Sequence, residues 1–147
     1  IDCALAMDIE TPRVAILAAV ETVNPDMIST LHAAALCKMA DRGQIVGGVL
    51  DGPLAFDNAI SPESAATKGI VSEVAGRADI LIVPDIESGN MLAKQLFYLS
   101  HAQSAGVVMG ARVPIMLTSR SEPEASRLAS CALAILVAQH KLSKFSR

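Results

Sequence analysis

Short, unbroken apolar runs rich in β-branched residues alternate along this chain with apolar positions at the helical period. Arg13–Ala18 (RVAILA), Ile45–Leu50 (IVGGVL), Ile80–Val83 (ILIV), Val107–Met109 (VVM) and Ile115–Leu117 (IML) carry no polar face, which predicts strands buried on both sides. Between them Met27, Leu31, Ala34, Ala35 and Met39 recur at helical spacing. So do Met91, Leu92, Leu96 and Leu99, and later Ala125, Leu128, Ala129, Ala132, Leu133 and Leu136. The predicted order is β-α-β-α-β-α-β-β-α, and Ile1–Met7 has the pattern of the end of an amphipathic helix. Fully apolar strands alternating with helices indicate an α/β fold: a mostly parallel sheet with helices on both faces.

In such sheets ligands bind beyond the carboxyl ends of the strands. The segments expected there are polar and rich in Gly and Pro: Val20–Pro25, Asp51–Leu54, Pro84–Asn90 and Thr118–Ser121. Ser121 and Glu124 fit the S-x-x-E capping box, so a helix is expected directly after Thr118-Ser119-Arg120. Its free N–H groups and positive dipole end would suit an anion, Arg120 adds a planar cationic fork, and Ser119 could donate to an oxygen gaining charge. A surface arginine and a local serine cap would give the same pattern. Ser88-Gly89-Asn90 is expected to open the preceding helix, with Gly89 allowing close approach and Ser88 or Asn90 as cap. Asp51-Gly52-Pro53 is expected to end a strand in a tight turn, with Asp57 near the same edge; the pair of carboxylates could include a base, or the motif could serve the turn alone.

Composition narrows the classes. Hydrophobic residues make up 52% of 147 residues and mean hydropathy is +0.44, which excludes intrinsic disorder and is consistent with one ordinary domain. Charges, Pro or Gly interrupt every apolar run well before the roughly 18 residues of a membrane span. Net charge is −3 and aromatics are 3%, so neither a basic tract nor a stacking platform for nucleic acid is present. Cys3, Cys37 and Cys131, like His32, His101 and His140, are too far apart in sequence to suggest a disulfide framework or a metal site. A reducing, cytoplasmic setting is expected, with Cys37 and Cys131 as small core residues. No GxGxxG, GxxxxGK[ST] or GxSxG motif occurs, which argues against a dinucleotide site, a P-loop and a nucleophile elbow. The first residue is Ile and the chain is expected to be a piece of a longer protein.

Taken in order, Glu21-Thr22-Val23-Asn24-Pro25, Ala33–Leu36, Asp51-Gly52-Pro53-Leu54 continuing to Ile60, Ser72–Asp85, Glu87-Ser88-Gly89-Asn90 and Val113–Arg120 resemble the phosphate acetyl/butyryltransferase family over nearly the whole chain. The wording is most similar to the butyryltransferase-like branch, including the C-terminal portion of bifunctional enoyl-CoA hydratase/phosphate acetyltransferase proteins. The resemblance implies the C-terminal half of a two-domain, isocitrate/isopropylmalate dehydrogenase-like enzyme whose N-terminal half is absent here. It also implies a homodimer with its site between the domains and no tightly bound cofactor or metal. The implied reaction is acyl-CoA + phosphate ⇌ acyl phosphate + CoA, by direct attack in a ternary complex. Ser119 and Arg120 would be catalytic, and Asp51, Gly52, Pro53, Ser88, Gly89 and Asn90 would bind substrate. One departure stands out: the acetyltransferase branch has Gly-Cys where this chain has Ser121-Glu122, and its base, an Asp, falls at Ser126. Glu122, Glu124, Asp51 or the other half could supply that base. A non-catalytic acyl-CoA-sensing domain, as in some malic enzymes, is the alternative; a dehydrogenase of similar fold lacks its metal-binding Asp cluster and nicotinamide pattern.

Overall fold

In the computed structural model the described residues are 1–119 and 123–145. The element order is α1 (Asp2–Ala6), β1 (Arg13–Leu17), α2 (Ile28–Asp41), β2 (Val49–Leu54), α3 (Phe56–Ile60), α4 (Pro62–Thr67), β3 (Ile80–Ile82), α5 (Ile86–Leu99) and α6 (Glu124–Phe145). The chain is α/β, with a sheet of order β2-β1-β3 in which both pairings are parallel. The carboxyl ends of all three strands therefore lie along one edge. Two compact units form: Ile1 with Glu10–Asn90, and Asp2–Ile9 with the residues from Met91 onward.

The first unit is built around β1. Val14 and Ile16 are buried with Ala33 of α2, and Leu36, Cys37, Leu50 and Ile80 pack against them. The face of α2 that covers β1 and β2 carries Ala33, Leu36 and Cys37, whereas Leu31, Ala35 and Met39, whose spacing predicted the helix, are exposed. No side chain caps α2 at Met27. The fully buried Thr30 hydroxyl instead accepts from the Asn24 N–H at 2.9 Å and returns a proton to the carbonyls of the same turn, ordering the loop that leads in. At the opposite edge Arg13 and Asp79 join the starts of β1 and β3: Nε and Nη2 each reach a carboxylate oxygen at 2.9 Å, and the Arg13 N–H donates to the same group at 2.8 Å.

The second strand differs from expectation. Residues 45–48 are irregular and β2 begins at Val49, four residues later. Gly47 has φ +90° and Gly48 sits where a Cβ would lie 2.7 Å from the Pro12 carbonyl oxygen, so the IVGG run brings the backbone in tightly before pairing starts. Asp51-Gly52-Pro53 consequently lies within the strand. Its register against β1 slips between Ala15↔Asp51 and Leu17↔Leu54, and this bulge accommodates the proline, which has no N–H to give the ladder; the Gly52–Pro53 bond is cis. Among the described residues neither Val107–Met109 nor Ile115–Leu117 forms a strand. They share a single antiparallel bridge, Val108↔Ile115. Among the described residues the sheet has three strands where five were expected. Where the predicted order has one helix between the second and third strands, two short ones, α3 and α4, form; each is too short to show a helical period.

In the second unit α1 lies against α6, with Ala4, Ala6 and Val137 buried, and Lys144 pairs with Asp2 at 2.9 Å. The segment between α5 and α6 is tied to α6 by the Gly106 N–H to Ser130 Oγ (3.0 Å) and by Lys141 Nζ to the Ala111 carbonyl (2.8 Å). Among the described residues no helix is long and apolar enough to cross a membrane.

Candidate functional site

The parallel sheet brings the ends of β1, β2 and β3 to one edge, and the first unit places there the loop after β1, the bulged end of β2 and the start of α5. Asp51 is partly buried, and its carboxylate accepts from the Gly52 N–H at 2.8 Å. Gly52 lies flat against Ile16: an added Cβ would meet the Ile16 Cβ and carbonyl oxygen at 2.7 Å, so only glycine permits this contact between strands. Pro53 and Leu54 are buried. Behind them Cys37 Sγ donates to the Gly52 carbonyl at 3.6 Å. Burial, then the negative charges of Asp51 and Asp41, push this thiol up to about 11. It remains a protonated packing group rather than a nucleophile.

Ser88-Gly89-Asn90 lies one turn further into α5 than expected. The helix begins at Ile86 and is capped by Asp85, whose carboxylate accepts from the Ser88 N–H and the Ser88 hydroxyl, each at 2.8 Å. Those bonds, the backbone N–H first, hold the Asp85 carboxyl below its ordinary range. Gly89 packs on Val83, which a Cβ would approach to 2.8 Å. Ser88 and Gly89 are half-buried and Asn90 is exposed. Ser119 is exposed and belongs to the second unit. Arg120, Ser121 and Glu122 lie outside the described residues, and with them the expected capping box.

Ser126, which the resemblance set at the position of the acetyltransferase branch's base, is buried on α6 with its hydroxyl 3.3 Å from that of Ser104. It is a hydrogen-bonded packing residue. Asp57, considered above as a second carboxylate, is occupied as well. It accepts from Ser64 Oγ and lies 3.6 Å from Lys68 Nζ; the Ser64 bond first, then Lys68, lowers its pKa. A carboxylate stabilised in its charged form is a weak acceptor for a thiol proton.

A polar hub at this edge escaped the sequence reading. Asn58 is completely buried. Its Nδ2 donates to Glu21 at 3.2 Å, its Oδ1 lies 2.9 Å from Ser64 Oγ, and its carbonyl accepts from the Gly76 N–H at 2.7 Å. Lys68 reaches Glu21 at 3.3 Å. Glu21 is held below its ordinary value first by its own backbone N–H and then by Lys68. One buried amide thus fastens the loop after β1, the α3–α4 pair and the Val74–Gly76 segment together. The signal was an Asp-Asn pair inside the otherwise apolar Phe56–Ile60, a few residues after a Gly-Pro; nothing local pointed to Glu21 as the partner of Asn58.

Also in the first unit, a cavity of about 390 Å³ opens beside the ends of β1 and β3, under the first half of α2. Among the described residues no group of three or more His, Cys, Asp or Glu side chains is placed to hold a metal ion.

A bulged parallel sheet with Gly- and Pro-marked segments gathered at its carboxyl edge defines an α/β domain of the ligand-binding type. The chain belongs to the phosphate acetyl/butaryl transferase family, whose pattern matches residues 1–135. It is 63% identical over 141 residues to a phosphate acetyltransferase of Rhizobium meliloti, covering 96% of this chain and 45% of that protein. It is 51% identical over 136 residues to a phosphate butyryltransferase of Clostridium acetobutylicum, covering 92% of this chain and 45% of that one. A crystal structure of a branched-chain phosphotransacylase from Enterococcus faecalis V583 superposes with TM-score 0.82 at 35% identity, covering 95% of this chain and 50% of that one. The chain spans about half the length of the curated relatives it matches.

Proposed function

We propose that this chain is one half of a phosphate acyltransferase that exchanges a short acyl group between coenzyme A and inorganic phosphate. The observation that carries the reading is its identity with phosphate acetyl- and butyryltransferases across nearly its whole length. The chemistry fits a surface of strand ends and helix starts. Phosphate attacking a thioester carbonyl builds charge on one oxygen, and the reverse step needs a thiolate from a thiol whose ordinary pKa is near ~8.5. Ser119 is the donor to that developing oxyanion and Arg120 holds the phosphoryl group or CoA. Asp51, Gly52 and Pro53 form one wall for substrate, and Ser88, Gly89 and Asn90 another. Acyl-CoA, phosphate and acyl phosphate are substrates rather than resident cofactors, and a second copy of the protein is its partner in a reducing, cytoplasmic compartment.

The test is phosphate-dependent loss of acetyl-CoA and butyryl-CoA by the full-length protein and its Arg120→Ala and Ser119→Ala variants. Arg120→Ala is expected to abolish turnover, and Ser119→Ala to lower kcat by roughly 10²–10³. Unchanged turnover in either removes that residue from the mechanism. The buried hydroxyl at Ser126 favours one competing reading, a domain that binds acyl-CoA without transferring the acyl group. Tight acyl-CoA binding with no transfer by the wild-type protein would establish that reading instead.

A further inference from the structure

We infer that the cavity under α2 is the acyl-chain subsite of this enzyme and sets its chain-length preference; the inference rests on the acyl-transfer reading above. The cavity, about 390 Å³, is walled by Ile16 and Leu17 at the end of β1, by Ile82, Val83 and Pro84 at the end of β3, and by Ala35 and Leu36 of α2, with Ser29 and His32 as its polar residues.

Three observations select its occupant. The first is charge. Among the described residues lining it there is no Lys, Arg, Asp or Glu, so a phosphate or nucleotide moiety placed there would give up its hydration without a counter-charge. A saturated chain loses nothing of that kind on entry and removes apolar wall from water. The second is position. The cavity lies at the carboxyl edge of a parallel sheet, where such folds take their ligands. The third is continuity. Val83 lines the cavity and is also the residue on which Gly89 packs, so the cavity shares a wall with Ser88-Gly89-Asn90. A thioester bound at that segment has an apolar recess beside it.

Size then bears on preference. An acetyl group leaves most of the volume unfilled, whereas a chain of about four or five carbons covers more of the wall, and each methylene buried tightens binding about fourfold. Ala35 controls the available depth from the helix side. It is exposed on α2, where leucine is a good helix former, so Ala35→Leu fills the recess without disturbing the core. Ile82, 40% exposed on an edge strand, is the opposite lever: Ile82→Ala deepens it.

The experiment measures kcat and KM of the full-length protein with acetyl-, butyryl- and hexanoyl-CoA and phosphate, for the wild type, Ala35→Leu and Ile82→Ala. Ala35→Leu is expected to raise KM for butyryl-CoA by about tenfold or more while leaving acetyl-CoA within about twofold. Ile82→Ala is expected to shift the optimum toward hexanoyl-CoA. Transfer by the wild type with the same chain-length profile in both variants overturns the subsite and leaves the acyltransferase reading standing. A wild type that transfers no acyl group from any of the three overturns both.

Discussion

At the scale of single residues, two positions decide the shape of the strand edge. Gly52 has Ile16 where its Cβ would be, at 2.7 Å from backbone and side chain alike, and β1 is the central strand. Gly52→Ala is expected to cost about 1–3 kcal/mol through overpacking, measured as a lower urea midpoint at unchanged slope. Asn58 is the second: Asn58→Ala leaves Glu21 and Ser64 each short of a bond and is expected to cost about 1–3 kcal/mol by the same measurement. Equal stability in Asn58→Ala would show that water replaces the amide without loss. Both residues stand in the segments that resemble the transferase family, yet only Gly52 was singled out from sequence. A glycine before a proline announces a backbone constraint in its own neighbourhood. The role of Asn58 depends on Glu21, 37 residues away, and no local pattern reports such a pairing.

Elements were legible where period and length were both adequate. The helices α2, α5 and α6 and the strands β1 and β3 appear near their expected places, but the period located the helices without telling which face is covered: Leu31, Met39, Met91, Leu99 and Leu128 are all exposed. The second strand slid four residues because Ile45–Leu50 is as apolar as a strand, while pairing is set by glycines that fit against Pro12 and Ile16. Capping was misplaced by one turn for a related reason: Asp85, Ser88 and Asn90 are all competent caps, and only the backbone settles on Asp85. A pH dependence belongs at this scale. The Arg13 side chain beside Asp79, aided by the Arg13 N–H, holds that carboxyl at about 2, against an ordinary value of 3.8. Between those values the unfolded chain takes up a proton that the folded chain refuses, so the contribution of the β1–β3 clamp is complete above pH about 4 and is lost as pH falls toward 2. Thermal unfolding midpoints of the wild type should therefore drop more steeply than those of Asp79→Asn across that window. Parallel curves for the two proteins would show that the pair contributes nothing to stability.

At the scale of the molecule, α6 carries large apolar side chains that the described chain leaves in solvent: Leu128, Ile135 and Leu142 are 64%, 58% and 67% exposed. They recur every seven residues and so line one stripe of a 22-residue helix, the spacing by which helices dock on partners. A contiguous apolar stripe of this kind marks an interaction surface, and a second copy of the protein is the partner proposed above. Charge placed in the stripe opposes its burial against a partner. The double variant Leu128→Lys/Ile135→Lys of the full-length protein is expected to lower the mass seen by size-exclusion chromatography with light scattering from dimer toward monomer, by an amount that grows on dilution. Its far-UV circular dichroism should match the wild type, because both side chains project from a formed helix into solvent. A dimer of unaltered mass and stability would place the partner surface elsewhere and leave the stripe for the remainder of the protein to cover.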